Sequence, residues 1–311
     1  MGYSEQTHFP LASQSQDGRL RAMPIPLAPE QSSAAQSEAP DIEAQREAFF
    51  AKGWCRFAFD PVLFAWVQAA LPAARESVRD PANAEWLRHG GTWFAGVHVL
   101  PNDASGALDG VPPVAGTAID FIRDVLGDGD PALRAFDWDR GQVSVCYPGY
   151  PQQDPEETES LHRYRVKRDA AHLDGLLREG PDRRRHLREY HGFVLGLPLV
   201  EADPGAAPFS IWEGSHEMIR SGFREIFRGI PHEAWAEQDV TEAYQALRRK
   251  IFDACPRVEI AARPGEAYLV HRLALHGVAP WRDGAQAGPD GRMILYFRPP
   301  IGGPAHWLEA P

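Results

Sequence analysis

Residues 264–300 read PGEAYLVHRLALHGVAPWRDGAQAGPDGRMILYFRPP, and this stretch decides the fold class. The pattern predicts a turn, a strand, a polar loop and a second apolar strand. A histidine followed by glycine, His276 and Gly277, precedes the loop, and Arg292 begins the second strand. Successive side chains of a strand point to opposite faces. One face of RMILYFR therefore carries Arg292, Tyr296 and Arg298 and is polar enough to line a pocket, whereas the other face is apolar and suits packing against helices.

Short segments of the same kind, rich in β-branched and aromatic residues and bounded by glycine or proline, recur along the chain between residues 91 and 300. They cover residues 91–100, 141–149, 191–200, 207–215, 256–271 and 291–300. Helical patterns cover residues 41–53, 60–78 (with Pro72 predicted to bend or split it), 115–127 and an insertion at about 231–251. Helices first and then many strands predict an antiparallel β core with helices on one side. The missing βαβ alternation and phosphate loop argue against Rossmann and P-loop folds.

The composition limits the classes of partner. The 311 residues carry a formal net charge of −11, which argues against nucleic acid and anionic membranes as partners. No stretch approaches the roughly 18 to 20 apolar residues of a membrane-spanning helix, and the first residues lack the pattern of a secretory signal. Three widely separated cysteines predict reduced thiols and a cytoplasmic location.

The chain changes character near residue 41. Residues 1–40 are rich in Gln, Ser, Ala and Pro and cannot bury enough apolar surface to fold alone, so we expect a disordered or extended arm. From there we expect a single domain over residues 41–311. Its helical part covers about 41–130 and its β core about 90–300.

Residues 171–178, AHLDGLLR, contain a candidate metal site. In a strand, His172 and Asp174 point to the same face, roughly 6 to 7 Å apart, and can bind one ion. Two histidines and one carboxylate with open positions are typical of non-haem Fe(II) oxygenases. A surface His–Asp pair joined by a hydrogen bond is the alternative. The third ligand is His271 or His276, which would face opposite sides of an unbroken strand.

Four motifs, in this order and spacing over roughly residues 140–300, resemble the phytanoyl-CoA dioxygenase-like family of Fe(II)/2-oxoglutarate oxygenases. They are HLD, the turn EGSH, the segment LALHGVAP, and the arginine that begins RMILYF. The resemblance implies a double-stranded β-helix (cupin-type jelly roll) with flanking helices, so that residues 41–311 would form one oxygenase domain. It also implies Fe(II) as the metal and 2-oxoglutarate as the co-substrate.

The resemblance assigns roles to individual residues. His172, Asp174 and His276 are the implied metal ligands and catalytic centre. The family pattern places the third ligand at the histidine of the LHG motif, which is His276. Arg292 is implied to bind the distal carboxylate of 2-oxoglutarate, for which the planar guanidinium fork is suited. Arg298, on the same face of the strand, is its rival.

Two further histidines receive structural roles. Because the resemblance selects His276 as the third ligand, His271 is expected to be a packing or supporting residue. His216 in EGSH is expected to form hydrogen bonds in a turn that closes a strand. Gly277 is expected to let the backbone turn close to the metal.

The implied activity is hydroxylation of a small-molecule metabolite by dioxygen, with decarboxylation of 2-oxoglutarate to succinate. Halogenating relatives replace the carboxylate ligand with a small residue, so Asp174 favours hydroxylation or a related oxidation. Two alternatives stay open. One is a cupin-type metalloenzyme, an isomerase or hydrolase, that does not use 2-oxoglutarate. The other is a non-catalytic binding protein with a relic metal site.

Residues 161–191 contain nine Arg or Lys against five Asp or Glu, within an acidic protein. One hypothesis is a basic rim that attracts an anionic substrate. The other is a solvated loop or a helix with many ion pairs, and the segment DRRRHLRE at residues 182–189 favours a helix.

Overall fold

The computed structural model describes residues 41–311. The expected N-terminal arm, residues 1–40, lies outside the described residues. The first predicted helix, α1, is confirmed. The side chain of Asp41 caps its first turn, and Gly53 ends it with a left-handed φ of 84°.

The other helices flank the β core or connect its strands. The helices are α1 (Ile42–Lys52), α2 (Pro61–Arg79), α3 (Thr117–Asp120), α4 (Gly127–Gly129), α5 (Glu159–Arg168), α6 (Ser215–Ile226), α7 (Thr241–Ala254) and α8 (Pro304–Glu309), with a π-helical segment at Phe121–Leu126 and 3₁₀ segments at Pro81–Trp86, Pro131–Leu133 and His232–Glu237. Helix α2 continues through Pro72, so the predicted split is wrong. The predicted insertion at 231–251 consists of the last 3₁₀ segment and α7.

Twelve strands are described. They are β1 (Trp54–Phe57), β2 (Leu87–Arg88), β3 (Trp93–Gly96), β4 (Gln142–Cys146), β5 (Leu176–Glu179), β6 (Arg184–Leu187), β7 (Phe193–Pro198), β8 (Phe209–Trp212), β9 (Arg257–Ile260), β10 (Ala267–His271), β11 (His276–Val278) and β12 (Arg292–Phe297). The large sheet has the order β1-β10-β7-β12-β4-β3-β2, the small sheet β11-β8-β9, and β5 and β6 form a separate hairpin.

A β-bridge between His172 and His276 adds one more pairing to the edge of the small sheet at β11. Along the chain, β4 lies in the large sheet, His172 beside the small one, β7 in the large, β8 and β9 in the small, β10 in the large, β11 in the small and β12 in the large. This alternation between two antiparallel sheets is the strand order of a double-stranded β-helix. The predicted fold class is therefore confirmed.

The two faces of β12 pack as the sequence predicts. Met293, Leu295 and Phe297 belong to the core that the large sheet forms with α1, α2 and the helical run near residue 121. Ile294 and Tyr296 face the small sheet and share a second core with its strands. The inward face is the one that leads to the candidate site.

The prediction of a helix at DRRRHLRE is wrong, because this segment supplies β6. The β5–β6 hairpin pairs Leu176 with Leu187 and Glu179 with Arg184. Leu187 and Leu176 are buried in a core with α6 and α7, and this tertiary burial outweighs the local helical pattern.

Within residues 41–311, no helix has both the length and the apolar character needed to cross a bilayer.

Candidate metal centre

The structure places three of the predicted site residues together. One ligand atom from each of His172, Asp174 and His276 lies within 4.8 Å of the others. The Nε2 atom of His172 is 3.3 Å from Oδ1 of Asp174, and Nε2 of His276 is 3.6 Å from Oδ2. A single ion between these atoms would be bound by two imidazoles and one carboxylate.

Backbone pairing sets this geometry. The amide of His172 donates to the carbonyl of His276 at 2.8 Å, and the amide of His276 donates back at 3.1 Å. Leu173 is buried in the core beside α6, on the side opposite its two neighbours. His172 and Asp174 therefore share a face, as the i, i+2 spacing predicts, although Asp174 lies in the turn after the bridge.

Hydrogen bonds fix the orientation of both rings. Nδ1 of His172 donates to the carbonyl of Ala170 at 3.2 Å, and Nδ1 of His276 donates to the carbonyl of Ala274 at 2.9 Å. A carbonyl oxygen only accepts, so the proton of each neutral ring is on Nδ1. The lone pair of each Nε2 is then free and faces Asp174, which is the arrangement that metal-binding histidines need.

Asp174 is ionised in spite of its burial. Burial alone would raise its pKa, but the positive charge of the nearby Arg298 holds the pKa well below its usual range. Nη1 of Arg298 is 3.5 Å from Oδ2 of Asp174. Arg298, the rival of Arg292 as a possible anchor for a co-substrate, thus contacts the carboxylate of the candidate ligand Asp174.

Two cavities meet at the cluster. An inner cavity of about 200 Å³ lies between the sheets and is lined by the three cluster residues together with Ser144 and Tyr296. An outer groove of about 880 Å³ also reaches His172 and Asp174. The side chain of His172 is 44% exposed, whereas that of His276 is 5% exposed, so the cluster is open toward the groove.

A buried arginine lies near the inner cavity. Arg292 opens β12 and is 5% exposed, and its Nη2 is 3.5 Å from the hydroxyl of Tyr296, which lines the cavity. Nη1 of Arg292 has no hydrogen-bond partner in the described part of the chain. The hydroxyl of Tyr268 donates to that of Tyr296 at 3.0 Å. A buried guanidinium with an unused donor is suited to a carboxylate ligand.

Gly196 makes room for Tyr268, a residue that the sequence did not identify. A Cβ at Gly196 would lie 2.3 Å from the Tyr268 ring. Gly196 pairs with Tyr268 on one side and with Tyr296 on the other, so both phenols meet over it. The sequence does contain one indication of this contact. A glycine inside the apolar strand FVLGLP often marks a place where another group packs closely against the backbone.

The other two histidines lie outside the cluster. His271 is buried, its Nε2 is 3.0 Å from Nη2 of Arg220, and its ring is 4.9 Å from that of His216. His216 lies in the first turn of α6 and not in a turn that closes a strand, and its Nε2 donates to the carbonyl of Phe50 at 2.9 Å. The expected packing and hydrogen-bonding roles agree with these positions.

Gly277 has a different function from the one expected. A Cβ at Gly277 would lie 2.2 Å from the carbonyl oxygen of Asp169, and the amide of Val278 donates to that same oxygen at 3.0 Å. The glycine therefore allows the segment before His172 to approach β11, and it does not provide a turn toward the metal.

The donor set fits Fe(II). Two imidazole nitrogens and one carboxylate oxygen beside two cavities are the donor set that non-haem Fe(II) sites use. Fold and site together define a double-stranded β-helix protein with a candidate metal centre of two histidines and one aspartate.

No family model and no curated protein sequence matches this chain. It is similar to solved structures at low identity. The non-haem α-ketoglutarate-dependent epimerase SnoN from nogalamycin biosynthesis is 14% identical over 83% of this chain and 82% of its own, with a TM-score of 0.40. EctD from S. alaskensis, solved with 2-oxoglutarate and 5-hydroxyectoine, is 17% identical over 88% and 81%, with a TM-score of 0.37. AviO1 from Streptomyces viridochromogenes Tue57 is 14% identical over 86% and 100%, with a TM-score of 0.36.

Proposed function

We propose that this chain is an Fe(II)/2-oxoglutarate-dependent dioxygenase that hydroxylates a small-molecule metabolite and converts 2-oxoglutarate to succinate and CO2. One observation carries the proposal. The cluster of His172, Asp174 and His276 lies where two cavities meet, and the buried Arg292 contacts Tyr296, which lines the smaller cavity. The co-substrate and the substrate would each reach the metal through one of these cavities.

The three cluster residues would hold the iron. Their Nε2 and carboxylate atoms are already oriented by the Nδ1 hydrogen bonds and by Arg298, so little reorganisation accompanies binding. Bound Fe(II) supplies the activation of dioxygen, with 2-oxoglutarate as the source of electrons. The protein's contribution is an open, correctly shaped site.

Arg292 is the proposed anchor for the distal carboxylate of 2-oxoglutarate. It is buried, has an unused Nη1 donor, and stands beside the phenols of Tyr268 and Tyr296. Arg298 is the weaker candidate because its guanidinium already faces Asp174 at 3.5 Å. Charge-assisted hydrogen bonds in so dry a place favour a carboxylate strongly.

Apolar side chains line part of the smaller cavity beside the cluster. The ring of Phe209 stacks on that of His276, with centroids 5.3 Å apart, and Val194 lines the same cavity. The groove side is open and polar, and it is where substrate would approach. This division lets the substrate be held next to the metal without displacing 2-oxoglutarate.

The test uses the full chain under anaerobic conditions. Fe(II)-loaded protein is titrated with 2-oxoglutarate, and a weak visible charge-transfer band should develop with one equivalent. Admission of air should then yield succinate above background. His172→Ala should abolish iron binding, the band and succinate formation while the circular dichroism spectrum is retained. His232→Ala, which alters an exposed histidine outside the site, should change none of these.

Two results would contradict the proposal. Iron binding without a band or succinate would indicate a metalloenzyme that does not use 2-oxoglutarate. Full turnover in His172→Ala would show that the metal lies elsewhere.

A further inference from the structure

Two arginines face each other across the β5–β6 hairpin beside the metal cluster. The Cα atoms of Arg178 and Arg185 are direct cross-strand partners, so both side chains lie on the same face of the hairpin. Like charges placed directly opposite destabilise a strand pair. Arg183 follows at the turn, and all three residues line the outer groove. Partial removal from water, together with the charges of Arg185 and Arg183, lowers the pKa of Arg178 to about 10.

The arginines on one face of this hairpin form ion pairs, and those on the other face do not. On the face away from the groove, Arg184 bonds Asp239 and Glu242, and Arg188 bonds Glu179 at 2.6 Å. On the groove face, Arg178, Arg183 and Arg185 have no carboxylate within 4.0 Å in the part of the chain that the structure describes. The ion-pair interpretation of this basic stretch thus holds for α5 and for the hairpin face away from the groove, but not for these three arginines.

The groove's own carboxylates do not neutralise these arginines. Asp154 accepts from the amides of residues 89 and 90, Glu157 pairs with an arginine of α5 at 2.9 Å, and Glu189 bonds His191 at 3.0 Å. Glu156 is exposed and has no ion pair among the described residues. The hairpin end of the groove therefore has an excess of positive charge.

One of the three guanidiniums is held firmly. Arg185 is 7% exposed, its Nη1 donates to the carbonyl of Leu176 at 3.3 Å, and its Cζ lies 5.3 Å from the centre of the Tyr244 ring. Arg178 and Arg183 are exposed and free to close on a ligand. Arg178 is four residues from Asp174, a span of at most about 14 Å, so a small molecule can touch both places.

We propose that Arg178, Arg183 and Arg185 bind a phosphate group of the substrate, which extends from there along the groove to the metal cluster. A cluster of three unpaired guanidiniums offers more charge and more donors than one carboxylate can use, and it matches a phosphate dianion. The part of the inference that concerns a substrate rests on the proposed function. The anion site itself does not.

The probe is inorganic phosphate, titrated calorimetrically into the metal-free full chain. One equivalent should bind the unaltered protein. In the double variant Arg178→Gln/Arg183→Gln, the Kd should rise by at least about tenfold. The double variant Arg184→Gln/Arg188→Gln removes the same charge from the opposite face, and its Kd should change by less than about twofold. Acetate at equal ionic strength should bind at least about tenfold more weakly than phosphate.

The outcomes separate this inference from the proposed function. Succinate formation without phosphate binding, or equal loss of phosphate affinity in both double variants, would overturn the phosphate site alone. Acetate that binds as well as phosphate would overturn the choice of a phosphate group. Phosphate binding with the expected pattern, in a protein without 2-oxoglutarate turnover, would support the anion site and overturn the proposed oxygenase.

Discussion

His172 and His276 are backbone partners as well as neighbours in the candidate metal centre. Each amide hydrogen-bonds to the other's carbonyl, and the ring centroids are 4.7 Å apart. Two segments far apart in sequence are thus held at a fixed spacing by one antiparallel bridge. Any change that opens the bridge should separate the ligands before it unfolds the protein.

Gly277→Ala is the most direct test of this relationship. The new Cβ would meet the carbonyl oxygen of Asp169 at 2.2 Å, so the segment that carries His172 has to move away from β11. We expect Fe(II) affinity to fall by about 10- to 100-fold. The free energy of unfolding should fall by about 1–3 kcal/mol. Anaerobic metal titration and urea unfolding measure the two effects.

Gly288→Ala is the matched control, because nothing lies within 4 Å of the Cβ that would be added there. It should leave iron affinity unchanged. Unchanged affinity in Gly277→Ala as well would show that the bridge does not set the ligand geometry.

Replacement of Arg292 should affect the co-substrate and leave the metal bound. Arg292→Gln removes a buried guanidinium with an unused donor, and the loss of a charge-assisted hydrogen bond costs about 1.5–3 kcal/mol, or roughly 10- to 150-fold in Kd. The Kd for 2-oxoglutarate, measured from the visible band of the Fe(II) protein, should rise by that factor. Iron affinity should stay within about threefold.

Arg298→Gln distinguishes the two candidate anchors on β12. Because Arg298 faces Asp174, its replacement should raise the Kd for 2-oxoglutarate less than that of Arg292. The reverse order would assign the anchor to Arg298.

The local parts of the site could be predicted from the sequence. The pairing of His172 with Asp174 follows from two-residue periodicity, and so does the inward face of β12. From the residues alone, the choice between His271 and His276 as the third ligand stays open. The turn at residues 272 and 273 interrupts the strand, so the alternation of side chains cannot decide between them. The resemblance selected His276, which is the one the structure places beside Asp174.

The remaining features depend on contacts between distant segments. Tyr268 meets Tyr296 only because both strands pair with β7 at Gly196. Arg298 reaches Asp174 across the two sheets. Arg178 and Arg185 become a pair only once the hairpin forms, and the local pattern of DRRRHLRE gave no indication of that strand.

Protonation of Asp60 in acid should destabilise the starts of helices α2 and α3. Its Oδ1 accepts from the amide of Val62 at 2.8 Å at the start of α2, and its Oδ2 accepts from the amide of Thr117 at 2.6 Å at the start of α3. Burial would raise its pKa, but these amide donors lower it below the usual value. A lowered folded-state pKa stabilises the protein above the unfolded pKa of about 3.9, and this stabilisation is lost as pH falls below it.

Asp60→Asn should therefore lower the free energy of unfolding by about 1–3 kcal/mol near neutral pH, because the side-chain NH2 of asparagine cannot accept and one of the two backbone amides loses its partner. The difference from the unaltered protein should shrink below about pH 4, where Asp60 becomes protonated as well. Urea unfolding at the two pH values measures this. Asp283→Asn, at an exposed site, should show no difference at either pH, and a pH-independent loss in Asp60→Asn would exclude the titration of this carboxyl as the cause.

Relief of repulsion on the hairpin should stabilise the protein. Arg178→Gln removes one of two like charges that face each other, so in phosphate-free buffer the free energy of unfolding should rise by about 0.2–1 kcal/mol. Arg184→Gln removes a paired arginine from the other face and should not raise the free energy of unfolding. The gain in Arg178→Gln should fade at about 1 M salt, where the screening length is short. If the proposed anion site exists, added phosphate should make the free energy of unfolding larger for the unaltered protein than for Arg178→Gln, because only the unaltered protein keeps all three arginines. A lower free energy of unfolding for Arg178→Gln than for the unaltered protein in phosphate-free buffer would show that repulsion between Arg178 and Arg185 does not destabilise the hairpin.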